Sequence, residues 1–214
     1  MSGEPVTIID YGAGNLASLR AAFRRQGWPV RVAADADVVV RARRLVLPGV
    51  GAAPPALAEL RRRGLDAALR AALAAGGSLF GICLGMQLLF ERSSELGGAD
   101  GLGFLAGEVA PLDAPGLKIP QIGWNAVSWR RASRLCGGLP DPCAFYHVHS
   151  FAPRPADVDD VLASADYGGE FVTAVEREPV YGVQFHPEKS GPHGLRLLGN
   201  FAAISAADDL RHAA

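Results

Sequence analysis

The sequence predicts an α/β fold in which a central, mostly parallel sheet is flanked by helices and continued by antiparallel strands. Short apolar runs alternate with helical segments from residue 6 to residue 90, which is the order of strands and crossover helices in a parallel sheet. Glycine-rich loops follow several of these runs, where parallel sheets bind ligands. Beyond residue 108, short β-branched and aromatic runs separated by turns predict the antiparallel extension.

The elements of the first half follow from apolar runs and helical periodicity. Asn15 is placed as a helix N-cap and Gly27 as a helix end, which predicts a helix between them. The three valines at 38–40 fit either a strand or a short helix. Predicted strands cover residues 6–9, as a central strand, 30–32 and 45–47, and predicted helices cover residues 57–63 and 65–75.

The uncharged stretch 71–90 is long enough to suggest a membrane-spanning helix, but its sequence argues against one. Gly76 and Gly77 interrupt it, and Gln87 lies inside it. We expect instead a helix end, a buried strand from Ser78 and the start of another helix over residues 84–90. Further on we expect a polar, glycine-rich loop over 93–107, a strand over 181–185, a last helix over 194–204 and a frayed tail.

Length and composition narrow the function. The 214 residues predict a single domain, residues 1–214. The net charge of −1 gives no electrostatic basis for binding nucleic acid, and no signal peptide is recognised. The three cysteines are sparse, odd in number and without a C-x-x-C pair, which favours a reducing cytoplasm over a disulfide framework and argues against zinc.

Cys83 carries the strongest chemical signal. It stands between Gly81 and Gly85, the spacing of a tight strand-to-helix turn that exposes a nucleophile. Small neighbours are needed there because the backbone of such a turn is crowded. The sulfur would lie at the N-terminus of the next helix, where the partial positive charge favours the thiolate. A lone cysteine is more often structural, but a structural cysteine would not require the flanking glycines.

A thiolate nucleophile needs a base, and the base needs a group that orients it. His186 follows directly on the predicted strand 181–185, so its ring would lie at the ligand end of the sheet. Glu188 is close enough in the chain to hold the imidazole in one tautomer. We therefore expect a triad of Cys83, His186 and Glu188.

Other features give weaker signals. His147 and His149 alternate along one strand and would share a face, but no third metal ligand is evident. His193 and His212 are expected on the surface. The loop 10–14 lacks the third glycine of a dinucleotide site. The loop 48–51 is equally typical of an ordinary turn and of a backbone that faces a ligand.

Two segments together resemble a known family. Residues 81–87 read Gly-Ile-Cys-Leu-Gly-Met-Gln and residues 184–188 read Gln-Phe-His-Pro-Glu. As a pair they resemble the class I, triad-type glutamine amidotransferases, which implies a flavodoxin-like fold. Further segments are similar to the glutaminase subunits of imidazole glycerol phosphate synthases, in histidine biosynthesis, and the similarity covers residues 6–201. These segments are residues 47–51, 122–125, 146–150 and 186–190.

The resemblance implies a role for each matching residue. Cys83 corresponds to the nucleophile that forms a γ-glutamyl thioester, His186 to its general acid and base, and Glu188 to the group that orients His186. The oxyanion site corresponds to Gly49, Val50 and Gly51, with the amides of Val50 and Leu84 as donors. Because glycines flank Val50, we expect the peptide before it to flip when partner and substrate bind. The residues that correspond to glutamine contacts are Gln87, Glu95, Ser150 and Phe151.

The resemblance also implies a partner. Such glutaminase subunits pass ammonia to a (β/α)8-barrel cyclase that makes imidazole glycerol phosphate from a ribotide, so a heterodimer is expected, with L-glutamine as substrate and no cofactor. Asn15, Trp124 and Lys189 correspond to positions that face the barrel. The departures from the family pattern are His147 for an aromatic residue, Phe151 for a tyrosine and Gln121 for a histidine.

Three alternatives compete with this interpretation. The chain could serve another amidotransferase, for anthranilate, aminodeoxychorismate or pyridoxal phosphate synthesis, although segment 123–125 and the pair Lys189-Ser190 argue against it. A subunit that only regulates a partner would not need an intact triad. A stand-alone cysteine hydrolase is the third alternative, and against it we expect a cyclase in trans to use the ammonia.

Overall fold

The structure, a computed structural model, describes residues 4–204, which form two sheets and six α-helices. The strands are β1 Val6–Ile9, β2 Val30–Ala33, β3 Arg44–Leu47, β4 Ser78–Ile82, β5 Phe90–Ser93, β6 Ala99–Asp100, β7 Leu105–Pro111, β8 Gln121–Trp129, β9 Cys143–His149, β10 Phe151–Pro155, β11 Val161–Asp166, β12 Glu170–Arg177 and β13 Val180–Val183. The helices are α1 Leu16–Arg25, α2 Ala36–Val40, α3 Ala53–Arg62, α4 Leu65–Ala74, α5 Leu84–Gln87 and α6 Gly191–Ala203.

The larger sheet has nine strands in the order β2-β1-β3-β4-β13-β12-β11-β8-β9. The first five run parallel, and the remaining four extend the sheet with antiparallel pairings. The predicted parallel sheet with its antiparallel extension is therefore present. The prediction that residues 6–9 form a central strand is wrong, because β1 lies one strand from the edge and the late strand β13 takes the place beside β4.

A second sheet of four strands, in the order β10-β7-β5-β6, corrects two predictions. The helix expected over residues 84–90 ends at Gln87, and the loop expected over 93–107 contains a 3-10 turn at Glu95–Gly97 and the short strand β6. The helix stops because its next carbonyls accept hydrogen bonds from a later segment. The N–H of Leu102 donates to the Leu88 oxygen at 2.8 Å and that of Gly103 to the Phe90 oxygen at 3.0 Å.

Two hydrophobic cores lie on opposite faces of the parallel strands, as alternation along a strand requires. On one face, α1 and α6 bury Phe23 and Phe201 against strand residues such as Phe80. On the other face, α3 and α4 bury Leu60 and Leu69. Covering both faces is the usual condition for a parallel sheet.

The helix ends agree with the local sequence. The Asn15 side chain accepts from the N–H of Ser18 at 3.2 Å, and Gly27, with a φ of 79°, follows the end of α1. The ambiguous valines 38–40 lie in helix α2. Helix α3 begins at Ala53, earlier than the predicted residue 57, because two prolines fit its first turn.

The last helix, α6, begins three residues earlier than predicted, and the tail and His212 lie outside the described residues. Within residues 4–204, every helix is too short or too polar to serve as a membrane span. The carboxyl ends of β1, β3, β4 and β13 meet at one edge of the sheet, where they place the loops that begin at Asp10, Pro48, Cys83 and Gln184.

Candidate active site

Cys83 occupies the sharp turn between β4 and α5. Its φ of 55° and ψ of −115° are unusual for a residue with a side chain. Its glycine neighbours are required by contact: a Cβ on Gly81 would lie 2.7 Å from the backbone of Met86, and one on Gly85 would collide with the carbonyl oxygen of Leu47. The predicted strand-to-helix turn is therefore present, although the helix after it has only four residues.

The Cys83 sulfur lies among polar groups in a mostly enclosed position, with the residue 7% exposed. The carbonyl oxygen of Val148 lies 3.7 Å from Sγ, and Nε2 of Gln184 donates to Sγ, also at 3.7 Å. His186 lines a cavity together with Cys83 and interacts electrostatically with the sulfur. Residues from β9 and from the segments that follow β4 and β13 thus surround this one atom.

His186 follows β13 and is fixed on both sides. Its backbone N–H donates to the Tyr146 carbonyl at 2.9 Å, and its carbonyl accepts from the Ser190 hydroxyl at 2.7 Å. Its ring nitrogen Nδ1 lies 2.9 Å from Oε1 of Glu188. Because a carboxylate only accepts, Nδ1 carries a proton, which leaves Nε2 as the ring atom available to Cys83.

The surroundings of His186 stabilise the protonated form of its ring, which suits a histidine paired with a thiolate. Burial alone would lower the pKa of His186, but the hydrogen bonds and charges of Cys83 and Glu188 outweigh burial and raise it to about 9. The two acidic partners therefore stabilise the imidazolium form. The side chains of His186 and Glu188 are 6% and 2% exposed, so solvent screens this attraction weakly.

A cavity of about 300 Å³ opens above the sulfur. A volume of this size suits a small molecule such as an amino acid. Cys83 and His186 lie in its wall with all four residues predicted to hold glutamine. The remaining lining residues are Val50, Gly51, Leu84, Pro120, Val148, His149 and Lys189.

The predicted oxyanion residues divide into two groups. Val50, Gly51 and Leu84 line the cavity, and Gly51 has a φ of 95° that favours glycine. Gly49 lies beneath them, where a Cβ would be 2.6 Å from the Tyr11 hydroxyl and 2.8 Å from Cβ of Leu84. Close packing is thus a sufficient reason for glycine at position 49. The presence of this glycine is therefore not evidence that the peptide before Val50 flips.

Gln87 and Glu95 reach the cavity but are already engaged within the protein. Nε2 of Gln87 donates to the Phe151 carbonyl at 3.1 Å and to Oε1 of Gln184 at 2.9 Å. Oε2 of Glu95 accepts from the N–H of Ala53 at 2.7 Å, at the start of α3. A bound ligand would therefore meet Oε1 of Gln87 and the second carboxylate oxygen of Glu95.

His147 and His149 share the buried face of β9, as the sequence predicts. His147 bonds the Phe145 carbonyl through Nδ1 and the Thr173 hydroxyl through Nε2, at 3.1 and 2.7 Å. Burial lowers the pKa of His147 to about 3 and that of His149 to about 4. Both rings are neutral core residues, and no group of three His, Cys, Asp or Glu side chains within residues 4–204 is placed to hold a metal ion.

The residues predicted to face a partner lie outside or at the rim of the cavity. Asn15 caps α1 on the surface, and Lys189 lines the cavity mouth, with Nζ 5.8 Å from the centre of the Tyr146 ring. Trp124 is 58% exposed and its strand neighbour Ile122 is 61% exposed. Two large apolar side chains standing out from one strand form an exposed patch of the kind that protein interfaces use. His193 is exposed, as predicted.

Two residues at the site were missed by sequence reasoning. Gln184 is the first residue of the segment 184–188, but sequence reasoning gave it no role, and its amide contacts the sulfur. Tyr11 follows β1, and its hydroxyl donates to the Pro48 carbonyl at 2.8 Å, beside the oxyanion loop. Burial and the nearby Cys83 raise the pKa of Tyr11, so its hydroxyl remains protonated. Both residues carry a polar group within two positions of the end of an apolar strand, and this is the signal that they share.

Comparison with known proteins agrees with this geometry. Residues 7–204 match the family model described as glutamine amidotransferase class-I. The chain is 45% identical over 210 residues to the imidazole glycerol phosphate synthase subunit HisH of Moorella thermoacetica, with 98% of this chain and 97% of that protein covered. It is 48% identical over 199 residues to the protein of the same name from Symbiobacterium thermophilum, with 93% of each covered. PurLQS from Thermotoga maritima has a similar fold, with a TM-score of 0.72, 19% identity and coverage of 94% of this chain and 98% of that one.

Proposed function

This chain belongs to the class I glutamine amidotransferases, and on that premise we propose that it is the glutaminase subunit of an imidazole glycerol phosphate synthase. In that role it hydrolyses L-glutamine to glutamate and ammonia for histidine biosynthesis. The near full-length relatives named HisH support this assignment over other members of the family.

One observation carries the proposed chemistry. The Cys83 sulfur and the His186 ring line the wall of one cavity large enough for an amino acid, and Nδ1 of His186 lies 2.9 Å from Oε1 of Glu188. Nucleophile, base and orienting group are the three parts that covalent hydrolysis of an amide requires.

The reaction proceeds in two halves. The Cys83 thiolate attacks the side-chain amide carbon of glutamine, and the C–N bond breaks as His186 gives its proton to the departing ammonia. The product of this half is a γ-glutamyl thioester on Sγ. His186 then takes a proton from water, the resulting hydroxide attacks the thioester, and the C–S bond breaks to release glutamate and the thiolate. Glu188 keeps the ring in one tautomer during both transfers.

Negative charge develops on the amide oxygen in both halves. The N–H of Leu84, the residue after the nucleophile, and the N–H of Val50 are the proposed donors to that oxygen. Gln87, Glu95, Ser150 and Phe151 are the proposed glutamine contacts. The carboxylate of Glu95 suits the substrate ammonium group, and this preference gives it a role in selecting an α-amino acid.

The proposed partner is a (β/α)8-barrel cyclase that receives the ammonia in a heterodimer. Asn15, Trp124 and Lys189 are its proposed contacts, supported by the exposed patch of Ile122 and Trp124, since the strand partner of Ile122 is Val148 in the cavity wall. The complex acts as a lyase in the cytoplasm, where a free cysteine nucleophile stays reduced. We also propose that the whole chain, residues 1–214, forms one domain.

The test is a co-purification with the barrel cyclase of the same organism, followed by assays with glutamine and with ammonium salt. The Cys83→Ala complex should lose turnover with glutamine and retain turnover with ammonium, because the cyclase needs only ammonia. Loss of both activities would show that Cys83 is structural. Glutaminase activity that responds only to a different synthase would assign the chain to another amidotransferase.

A further inference from the structure

Gln184 places a buried amide directly against the nucleophile. The residue is fully buried, and its backbone N–H donates to the Thr173 carbonyl at 2.8 Å, which fixes the main chain between β13 and His186. Its Nε2 atom donates to Sγ of Cys83 at 3.7 Å, within the range for a hydrogen bond to sulfur. A buried amide needs all its partners inside the protein, so this contact is part of a defined network.

The orientation of the Gln184 amide is set by a backbone carbonyl to which it is linked through two successive hydrogen bonds. The Phe151 carbonyl can only accept, so the Gln87 group that lies 3.1 Å from it must be the Nε2 donor. The same Nε2 donates its other hydrogen to Oε1 of Gln184 at 2.9 Å. The opposite end of the Gln184 amide, which faces the sulfur, is therefore the nitrogen, and the usual ambiguity of amide orientation is resolved.

With the Gln184 amide in this orientation, the thiol and the thiolate of Cys83 make different interactions with their neighbours. A thiol can donate to the Val148 carbonyl 3.7 Å away, but a thiolate cannot, and the carbonyl dipole then opposes the negative charge. The Gln184 N–H favours the thiolate, because a hydrogen bond from a neutral donor to an ionised acceptor is stronger than one to a neutral acceptor. It does so without substrate, since all its partners belong to the protein.

We propose that Gln184, oriented by Gln87, donates to the Cys83 sulfur beside His186 and favours an ionised, aligned nucleophile. Gln87 then has two roles, because it anchors Gln184 through Nε2 and presents Oε1 to the cavity. The inference rests on the proposed role of Cys83 as nucleophile, but it concerns the sulfur before any substrate binds.

The experiment measures alkylation of Cys83 by iodoacetamide, followed by peptide mass spectrometry so that Cys136 and Cys143 are counted separately. Gln184→Met keeps the side-chain length and removes the donor. At neutral pH its alkylation rate at Cys83 should fall about tenfold, as expected for the loss of one hydrogen bond to a charged group. At strongly alkaline pH, where thiols ionise without help, the rate should equal that of the wild type.

Thr173→Val is the matched control. It removes another buried hydrogen bond, that of the Thr173 hydroxyl to His147 at 2.7 Å, and it keeps the Thr173 carbonyl that holds the Gln184 main chain. Its alkylation rate should match the wild type at both pH values. Gln87→Met should give a smaller fall than Gln184→Met, because the Gln184 amide loses its anchor but keeps its donor.

A wild-type rate in Gln184→Met at neutral pH overturns the proposal, and so does an equal fall in Thr173→Val. Should Gln184→Met fail to fold, Gln87→Met decides, since an unchanged rate there contradicts the orienting network. Alkylation requires neither glutamine nor the cyclase, so failure of this inference is distinguishable from failure of the glutaminase assignment.

Discussion

Nδ1 of His186 lies 2.9 Å from Oε1 of Glu188, and only Pro187 separates the two residues in the chain. The 3-10 turn Pro187–Lys189 brings the carboxylate back to the ring. The hydroxyl of Ser190 accepts from the Tyr146 N–H at 3.0 Å and so ties this turn to β9. The orienting contact is therefore local in sequence but is held in place by the antiparallel extension.

Glu188→Gln should lower the pKa of His186 from its raised value near 9, because the negative charge that stabilises the imidazolium is removed. Titration of the His186 ring by NMR in the free protein checks this directly. Glutamine turnover should fall by about 10²-fold, toward the lower end of what acid–base assistance contributes. His186→Ala should be at least as damaging as Glu188→Ala. An unchanged His186 titration in Glu188→Gln would show that the carboxylate is not its electrostatic partner.

Gly85→Ala should destabilise the protein by about 2–3 kcal/mol, because the added methyl group collides with the Leu47 carbonyl on the adjacent strand. Gly199→Ala is the matched control. It lies inside α6, its new Cβ would meet only the flexible end of Gln26 at 3.2 Å, and replacing a helical glycine is stabilising by about 0.4–1 kcal/mol. Urea unfolding compares the two variants. Equal effects would mean that the nucleophile turn is not tightly packed.

The two buried histidines should make the protein sensitive to acid. Their pKa values in the folded protein, about 3 for His147 and about 4 for His149, lie below the unfolded value of about 6.5. Between those values the unfolded chain binds more protons, so each histidine lowers stability by about 1.4 kcal/mol per pH unit as the pH falls below about 6.5. His186 contributes with the opposite sign, since its raised pKa favours folding at low pH and this contribution is lost only as the pH rises through about 9.

A double variant, His147→Phe with Thr173→Val, removes one of these histidines together with its hydrogen-bond partner. The slope of unfolding free energy against pH between about 5 and 6.5 should decrease by about 1.4 kcal/mol per pH unit relative to the wild type. Urea unfolding across this range gives the slope. An unchanged slope would mean that His147 is protonated in the folded protein, contrary to its fully buried position.

Trp124→Ala should weaken binding of the proposed barrel cyclase by about 2 kcal/mol or more, as expected for an exposed aromatic residue that becomes buried on binding. Its side chain is 58% exposed in the free chain, so the fold should tolerate the change. Val158→Ala removes another exposed apolar residue, 70% exposed but away from the proposed interface, and should bind normally. Calorimetric titration distinguishes the two, and equal affinities would place the partner on another surface.

Sequence reasoning predicted best where one segment carries its own signal. The strand before Cys83, the Asn15 cap and the strand leading to His186 were all expected and are present. It failed where distant residues decide the structure. Residues 84–90 have good helical propensity, but hydrogen bonds from residues 101–105 end the helix at Gln87 and make Phe90 the start of a strand.

At the site, too, the features that depend on local sequence were predicted, and those that depend on distant residues were not. The spacing around Cys83 and the order of His186 and Glu188 predicted a triad, and the structure brings all three together. The donor from Gln184 and the hydroxyl of Tyr11 were not predicted, because each depends on how three or more strands align at one edge of the sheet. Position 49 required glycine for packing against Tyr11 and Leu84, a constraint that only the tertiary structure contains.

The central claim is that Cys83 carries the acyl group of glutamine during turnover. Its most direct test is acid quenching of the cyclase complex during reaction with L-glutamine, followed by mass spectrometry of the intact chain and of the Cys83 peptide. We predict a mass increase of one γ-glutamyl group, located on Cys83, sensitive to hydroxylamine and absent from Cys83→Ala. An adduct on another residue, or turnover with glutamine in the Cys83→Ala complex, would contradict the claim.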